Sequence, residues 1–204
     1  MKKALTNKFG SDSIKEMPVK EGEVPLILLD IHARTEVKVL MTNGLSQYQM
    51  PVPEKEAGTE YKELYFCLPS YWDLDDVDNP KMNWVFHWIQ RLAKHVTKKE
   101  TWYSHGHTMP CGKEKKQLSD SMKQNHFILL DPMFLENELA PIEVDGKKIH
   151  FLSIVPIFED EFLFKYGKGT KKFLGRFTVK GNTEKLDDFR ETVMRSRWRI
   201  FAKQ

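Results

Sequence analysis

The chain has 204 residues, a length that suits one domain burying about 70% of the surface that its unfolded chain would expose. Its 13 Phe, 5 Trp and 6 Tyr, its 30% charged residues and its mean hydropathy of −0.53 predict an aromatic-rich core under a polar surface, and they exclude a disordered chain. The formal net charge of +3 is too small for a protein that coats nucleic acid, because such proteins carry a clustered basic face, so we expect no nucleic-acid partner.

The polar start of the chain predicts a partly flexible N-terminal segment at 1–22, followed by one domain at 23–204. This start lacks the apolar stretch of an export signal, and no run reaches the roughly 18 apolar residues of a membrane span. Two cysteines, Cys67 and Cys111, cannot build the disulfide framework of a small secreted fold. Together these features predict a cytoplasmic protein with reduced thiols and no membrane partner.

Three segments of the N-terminal half have the pattern of strands. Residues 24–33, VPLILLDIHA, predict a buried strand, and residues 36–42, EVKVLMT, predict its neighbour across a short connection. Residues 61–69, YKELYFCLP, alternate with a period of two and carry aromatic side chains on both faces. We therefore expect the third segment to be a central strand that is covered on each side.

A helix is predicted at 80–98, where the apolar period lengthens to that of an α-helix. Asn79 is the predicted N-cap, and Pro80 suits the first helical position. The apolar stripe is formed by Val85, Trp88, Ile89, Leu92, Ala93 and Val96. Core packing is the expected role of three tryptophans, Trp84, Trp88 and Trp102.

Four aspartates precede this helix: Asp73, Asp75, Asp76 and Asp78. Negative charge near the positive end of a helix dipole explains such a run without any further function. Calcium binding is not expected, because the alternating acidic spacing of an EF-hand loop fails at Val77 and no glycine follows in register. The alternative is an acidic contact surface for a basic partner.

Further strands are predicted at 125–131 and in a hairpin at 142–157, which turns at Asp145-Gly146. The segment FEDEFLFKYGKG, 158–169, predicts a helix opened by acidic residues and ended by glycine, and a shorter helix follows at 170–177. Strands with a few intervening helices are typical of an α+β domain with one layered sheet.

From residue 183 onward we predict a terminal helix with Leu186, Phe189 and Val193 facing inward. The arginines of this segment are expected on its solvated face: Arg190, Arg195, Arg197 and Arg199.

No reactive motif is complete in this sequence. Ser46 lies in a segment that lacks the final glycine of a nucleophile elbow and runs into prolines, and no phosphate-binding glycine loop is present. In the segment TWYSHGHTMPCG, 101–112, His105, His107 and Cys111 are conceivable zinc ligands. Zinc needs three or four ligands, and no second compact pair supplies the rest, so we expect neither a metal nor another cofactor.

The simpler interpretation of this segment is a structural loop. Imidazole groups hydrogen-bond loop carbonyls, Gly106 permits an unusual backbone angle, and Pro110 limits strand pairing.

Several segments in the same order resemble the suppressor-of-fused-like domain family. TNGLSQYQMPVP is similar to that family's T-[SN]-G-[ML]-S-x-x-x-M signature, and ELYFCLPSYWDL to the E-L-x-x-x-L-P-x-x-W block that follows it. NWVFHWIQRLAKHVTKKETWYSHGHTMP resembles the family's helix and its T-W-x-x-x-G-H-T-[IM]-P loop. FLSIVPIFEDEFLFKYGKGTKKFLGRF resembles the hydrophobic strand and the two helices after it. The resemblance covers about residues 36–177.

The resemblance implies a suppressor-of-fused-like α/β sandwich, a mixed sheet flanked by helices, with a binding role and no chemistry. In animals such a domain is joined to a second one and sequesters a transcription factor, whereas bacterial relatives often stand alone and many look like immunity proteins. Gly106 occupies the position of an acidic residue that helps the animal protein hold its peptide, so that peptide specificity is not expected here. His107 and its neighbours then belong to the framework of the family, beside a protein-binding surface.

These observations and the resemblance together predict a non-enzymatic protein-binding domain and, more specifically, an immunity protein that neutralises a co-encoded bacterial toxin. The predicted contact residues are Tyr71, Trp72, Asp73, Asp75, Asp76, Ser104, His105 and His107. The affinity of such an interface would come from a desolvated aromatic centre with a polar rim. The alternatives are a regulatory adaptor that binds a peptide along a sheet edge and, less favoured, a metal-dependent hydrolase.

Overall fold

The computed structural model describes residues 1–18, 20–76, 79–112, 116–119 and 121–195. The strands are β1 (Ile14–Met17), β2 (Leu26–His32), β3 (Glu36–Thr42), β4 (Tyr61–Pro69), β5 (Thr108–Pro110), β6 (His126–Leu130), β7 (Ile142–Val144) and β8 (Lys147–Ile157). The helices are α1 (Lys2–Phe9), α2 (Trp84–Lys98), α3 (Glu159–Lys168) and α4 (Thr170–Val179), with single 3-10 turns at Leu45–Gln47 and Glu54–Glu56.

The strands of the described chain form one mixed sheet with the order β1-β2-β3-β4-β8-β6-β5. The two central strands, β4 and β8, run parallel, and the other neighbours pair antiparallel. Strand β7 pairs with the beginning of β8, on the same side of β8 as β6. The predicted α+β class, with a mixed sheet flanked by helices, is confirmed.

Both faces of the sheet are covered. Leu64 and Phe66 of β4 pack with Trp84 and Trp88 of α2 in the largest apolar cluster. The alternate residues of β4, such as Tyr65, face a second cluster that includes α1. Strand β4 is buried from residue 62 to its end, which confirms the prediction of a central strand covered on each side. A buried side chain of this size contributes about 1.5–3 kcal/mol to stability.

Most predicted elements are confirmed. Strands β3 and β4 have the predicted bounds, and β2, β6, α3 and α4 lie within two residues of theirs. The hairpin between β7 and β8 turns at Asp145 and Gly146, whose φ angles are 49° and 72°. Two successive left-handed residues make the tight turn that matches the twist of paired strands.

The predicted start of the long helix is wrong by four residues. Helix α2 begins at Trp84, because the Asn79 carbonyl accepts the N–H groups of Met82 and Asn83 in a separate turn. The Asn79 side chain also accepts the Lys81 N–H, so it closes this turn and does not cap the helix. The first turn of α2 contains no acidic residue. Asp78 lies outside the described residues.

The N-terminal segment 1–22, which its composition predicts to be partly flexible, contains α1 and β1 in the structure. Leu5 of α1 is buried against the sheet, and β1 pairs with β2 along its whole length. Neither element was predicted, because a single buried leucine in a charged helix leaves almost no periodic signal.

The predicted terminal helix is wrong for residues 183–195, which form turns and extended chain. Leu186 and Val193 are buried as predicted, but Phe189 is 84% exposed. The Leu186 N–H donates to the Cys67 carbonyl of β4 at 2.8 Å. This N–H group therefore bonds to the sheet, whereas in a helix it would donate to a carbonyl of the same helix. Arg197 and Arg199 lie outside the described residues.

The buried carboxylate of Glu63 on β4 holds the turn that follows β3. It accepts the N–H groups of Gly44, Leu45 and Ser46 at 3.0, 3.2 and 3.1 Å, and the hydroxyls of Thr42 and Ser46 as well. Burial raises the pKa of Glu63, and these hydrogen bonds oppose the rise. Five donors satisfy a carboxylate that water cannot reach.

Glu184 has the same role in the C-terminal segment. Its buried carboxylate accepts the N–H groups of three successive residues after β6, Met133, Phe134 and Leu135, at 2.7–3.0 Å.

None of the helices in the described part of the chain is long and apolar enough to cross a membrane.

Replacement of Glu63 by Gln should lower the free energy of unfolding by about 3 kcal/mol, because the amide can accept only part of these donors and brings N–H groups toward them. Urea denaturation followed by tryptophan fluorescence measures the change. Glu36→Gln, at an exposed position of β3, is the matched control and should change stability by less than about 0.5 kcal/mol. Equal effects of the two substitutions would contradict the framework role of Glu63.

Candidate functional site

The predicted contact residues fall into two groups at opposite ends of β4. Tyr71 to Asp76 follow the C-terminal end of this strand, at Pro69. Ser104 and His105 lie near its beginning, because the Lys62 ammonium donates to the carbonyl of the preceding residue, Tyr103, at 2.6 Å. Strand geometry separates the two groups by roughly 20 Å. They cannot form one small contact patch.

The first group belongs to what we call the carboxyl-end surface, defined by Tyr71, Asp73, Asp75, Asp76, Leu163 and Phe189. The parallel strands β4 and β8 end on the same side, so the loops that follow them meet there. Tyr71 is 55% exposed and its hydroxyl donates to Asp188 at 2.6 Å. Phe189 and Leu163 line a cavity of about 630 Å³ together with Asp188. Leu163 and Phe189 therefore stand exposed at one depression, and Tyr71 is joined to its lining through Asp188.

Acidic side chains lie on the loops that carry Tyr71 and Phe189. Asp73, Asp76 and Asp187 are exposed, and Asp75 forms an ion pair with Lys15 of β1 at 2.6 Å, which lowers the pKa of Asp75. Burial and the hydrogen bond to Asp188 raise the pKa of Tyr71. An aromatic centre within a charged rim is the usual composition of a protein interface.

Trp72 is the one member of this group that the structure buries, with 1% of its surface exposed. Its ring packs edge-on against Trp84 at 6.1 Å, and its indole N–H donates to the Met82 carbonyl at 3.2 Å. The prediction that Trp72 lies on the surface is wrong, because the loop turns this side chain into the core beneath Tyr71. Trp84 and Trp88 are buried as predicted, and Trp102 is half-buried.

A buried ion pair fixes the chain under the carboxyl-end surface. Arg190 donates two parallel hydrogen bonds to the Glu161 carboxylate at 2.7 and 2.8 Å, and a third to the Pro156 carbonyl at 2.7 Å. Glu161 also accepts the Val193 N–H at 2.9 Å. Because Arg190 is held in this way, its neighbour Phe189 projects into solvent. The expectation that Arg190 is solvated is wrong, since no local pattern pairs it with a residue 29 positions away.

The second group lines a cleft of about 850 Å³ at the other end of β4. Ser104 is buried and its hydroxyl donates to Glu56 at 2.8 Å. The His105 Nδ1 atom accepts the Asp131 N–H at 3.2 Å. The imidazole of His150, on β8, bonds to the Gly58 carbonyl at 3.1 Å and lines the same cleft.

His107 does not line this cleft. Its ring packs against Trp102 at 4.4 Å, and its carbonyl accepts the Leu129 N–H at 2.8 Å. The preceding Gly106 has a φ of 83°, and a Cβ atom there would lie 2.7 Å from the Thr170 hydroxyl oxygen. The predicted unusual backbone angle at Gly106 is confirmed, and the segment serves as framework between β5 and α4.

The three conceivable zinc ligands have different surroundings. His105 faces Asp131 and His107 packs on Trp102, while Cys111 is buried and its backbone N–H donates to Asn125. Within the described ranges, no group of three or more His, Cys, Asp and Glu side chains is placed to hold a metal ion. Burial raises the pKa of both free thiols, Cys67 and Cys111, which makes them poor nucleophiles.

Comparison with known proteins gives a family match and a fold match. The family model described as Suppressor of fused protein (SUFU) matches residues 22–191. The Sufu-Fu complex crystal structure contains a similar chain, with a TM-score of 0.63, 16% identity, and coverage of 93% of this chain and 88% of that one. A protein of Neisseria gonorrhoeae that is described as a suppressor of fused homologue has a TM-score of 0.60 and 16% identity, covering 95% and 94% of the two chains.

Drosophila Suppressor of Fused is similar over 88% of this chain, with a TM-score of 0.55 and 14% identity. This chain spans 42% of the length of the Drosophila protein. At these identities the likeness of the solved structures concerns the fold. A search of curated proteins found no match.

Replacement of Glu161 by Gln should lower the free energy of unfolding by about 3–5 kcal/mol, because it leaves the Arg190 charge buried without its partner. Denaturant titration measures the loss. The control is Glu191→Gln, since Glu191 pairs with Arg195 on the surface at 3.9 Å and such pairs contribute at most about 1 kcal/mol. A small effect at both positions would contradict the structural role of the buried pair.

A pH dependence follows from two half-buried histidines. Burial is the main cause that lowers the pKa values of His107 and His150 below 6.5, so the unfolded chain takes up protons there before the folded chain does. Their contribution to stability should be lost as the pH falls through 6.5, and the variant with both residues replaced by Gln should lose less stability between pH 7.5 and pH 5.5 than the parent. The two proteins are compared because Glu63 has the opposite effect in both: its raised pKa makes stability rise as the pH falls.

His32→Gln, an exposed histidine replaced in the same way, is the matched control for the substitution itself. Identical pH profiles for the parent and the double variant would show that the two histidines are not the source.

Proposed function

The chain belongs to the suppressor of fused family, and on this premise we propose that it is a non-enzymatic, cytoplasmic protein-binding domain. More specifically, we propose that it is an immunity protein that neutralises a toxin encoded beside its own gene. The first part is supported by the similar chain in the Sufu-Fu complex, which was solved with a protein partner. The second part rests on the character of the carboxyl-end surface.

The observation that carries the proposal is the exposure of Leu163 and Phe189 at one cavity, with the exposed Tyr71 bonded to Asp188 of its lining. Exposed apolar groups that lie together usually mark a contact surface, because their burial against a partner is favourable. The buried pair of Glu161 and Arg190 holds the segment rigid before a partner arrives. A rigid surface loses little conformational entropy on binding.

The charges around this surface define the partner that suits it. Asp73, Asp76, Asp187 and the bonded Asp188 give it a mainly negative rim, although Lys123 and Arg195 also line the cavity and the chain as a whole has a formal charge of +3. A basic partner would be steered to such a rim and bound faster than a neutral one. A toxin that acts on nucleic acid carries a basic surface of this kind.

The non-enzymatic part of the proposal is supported by the positions of the reactive side chains. The hydroxyl of Ser46 donates to Glu63 at 2.7 Å and is committed to the turn after β3. Cys67 and Cys111 are buried, and Ser104 is bonded to Glu56. These groups contribute to the framework of the fold.

The second candidate function is a regulatory adaptor that binds an extended peptide. It is favoured by the cleft of about 850 Å³ at the beginning of β4, whose lining includes the exposed carboxylates of Asp131 and Glu136. A partner that is not toxic, recovered from the same genetic neighbourhood, would favour this function over immunity.

The test is co-expression with the protein encoded by the neighbouring gene. The chain should protect cells from that protein and co-purify with it. The Tyr71→Ala, Phe189→Ala double variant should bind at least about 30-fold more weakly, the effect expected for residues at the centre of an interface. Val179→Ala is the control, because Val179 is as exposed as Phe189 but lies at the end of α4, outside the carboxyl-end surface.

Unchanged affinity in the double variant would overturn the assignment of the carboxyl-end surface. Absence of both binding and protection would overturn the immunity function.

A further inference from the structure

Every exposed side chain of helix α2 is basic. The helix contains no aspartate or glutamate, and its apolar residues pack against the sheet in the largest cluster. The side chains that it leaves exposed are those of His87, Arg91, Lys94, His95 and Lys98. Their spacing of four, three, one and three residues places them along one side of the helix, in a row about 16 Å long. We call these five residues the basic row.

The helix dipole accounts for only part of the basic row. Basic side chains stabilise the last turn of a helix, and the last turn of α2 contains His95 and Lys98. Arg91 and Lys94 precede that turn. Like charges three or four residues apart on a helix repel each other, so Lys94 is unfavourably placed beside both Arg91 and Lys98. The arrangement therefore costs the isolated chain some stability.

Nothing within the described ranges neutralises the basic row. Arg91, Lys94 and Lys98 form no ion pair with a carboxylate of this part of the chain. The Arg91 guanidinium lies over the Trp88 ring, 4.7 Å from its centroid, which fixes its position on the helix surface. A guanidinium held in this way keeps its N–H donors for a partner.

The net charge of the whole chain equals the charge of this one row. The sequence has 32 Lys and Arg and 29 Asp and Glu, so without Arg91, Lys94 and Lys98 the remaining 29 basic residues balance the 29 acidic ones. The small net charge argued against a nucleic-acid partner, because it gave no sign of a clustered basic face. The fold supplies such a face on α2.

The composition of the basic row distinguishes between three kinds of anionic partner. A helix that binds a membrane surface exposes apolar side chains to the lipid, whereas the exposed side chains of α2 are all basic. Single-stranded nucleic acid is held by stacking on aromatic rings, and Trp84 and Trp88 are buried. A duplex is held through its phosphates by Lys and Arg side chains, without stacking. The row has the composition that suits a duplex.

We propose that the basic row binds the phosphate backbone of a nucleic-acid duplex, independently of base sequence. Arg91, Lys94 and Lys98 pair with phosphates, and the imidazole groups of His87 and His95 donate hydrogen bonds to the same backbone. A row about 16 Å long reaches across a major groove, which is about 12 Å wide. The basic row shares no residue with the carboxyl-end surface, so this inference is independent of the proposed immunity function.

The test measures binding of the whole chain to fluorescein-labelled duplexes of 16 base pairs, one of DNA and one of RNA, by fluorescence anisotropy. Micromolar binding to at least one duplex is expected at 50 mM NaCl. Three phosphate contacts predict that this binding weakens about 40-fold between 50 and 200 mM NaCl. The triple variant Arg91→Gln, Lys94→Gln, Lys98→Gln should bind at least 20-fold more weakly at 50 mM NaCl and lose most of the salt dependence.

The matched control is the triple variant Lys168→Gln, Lys171→Gln, Lys172→Gln. It removes the same charge from exposed positions of α3 and α4. These positions lie on the other side of the sheet, because α2 packs with Ile154 of β8 and α4 with Val155, whose side chains point to opposite faces. The control should bind within threefold of the parent.

Equal losses in the two triple variants would overturn the inference, since net charge alone would then attract the duplex. Absence of binding to both duplexes at 100 μM protein would also overturn it. Tighter binding to phosphatidylglycerol vesicles than to the duplexes would assign the basic row to a membrane surface. Tighter binding to polyglutamate would assign it to an acidic protein. Either result would overturn the nucleic-acid assignment.

Discussion

The carboxylate of Glu63 is the interaction on which the arrangement of the loops depends. A carboxylate in the interior is tolerated only when donors surround it, and Glu63 obtains its donors from the turn at 42–46. Glu184 does the same for residues 133–135, and Glu161 for Arg190 and the chain at Val193. Each of these glutamates ties an irregular segment to the body of the fold, so the loops hold fixed positions.

The hydrogen bonds of Glu63 also show which part of the fold the family motifs in the sequence specify. The blocks TNGLS and EL are about twenty residues apart in the chain, yet they meet as one hydrogen-bonded group around Glu63. The GHT block likewise contains Gly106, whose backbone geometry and close contact with Thr170 leave no room for a side chain. The motifs therefore identify the scaffold. Phe189, the most exposed member of the carboxyl-end surface, lies outside every block, and the motifs could not have indicated it.

The sequence predicted the structure correctly where the spacing of apolar residues within one segment determines it. The predictions were wrong where contacts with distant parts of the chain determine the structure. Residues 61–69 alternate strictly and form β4 as predicted, whereas the helical spacing of Leu186, Phe189 and Val193 arises in a segment that is not helical. There the N–H groups of Leu186 and Val193 donate to Cys67 and Glu161. No sequence pattern near residue 183 indicates these distant acceptors. For the same reason the predicted contact residues could not be sorted into two separate places.

The two candidate contacts follow from one property of the sheet. Strand β8 has eleven residues and is longer than its ladder with β4, which ends at Tyr65 and Ser153. Beyond that point the C-terminal segment joins β4 and places Phe189 outward, while at the other end the cleft lies beside the beginnings of both strands. A partner that reached both ends would have to span roughly 20 Å of sheet. Linkage of two weak contacts would then give an affinity that neither end provides alone.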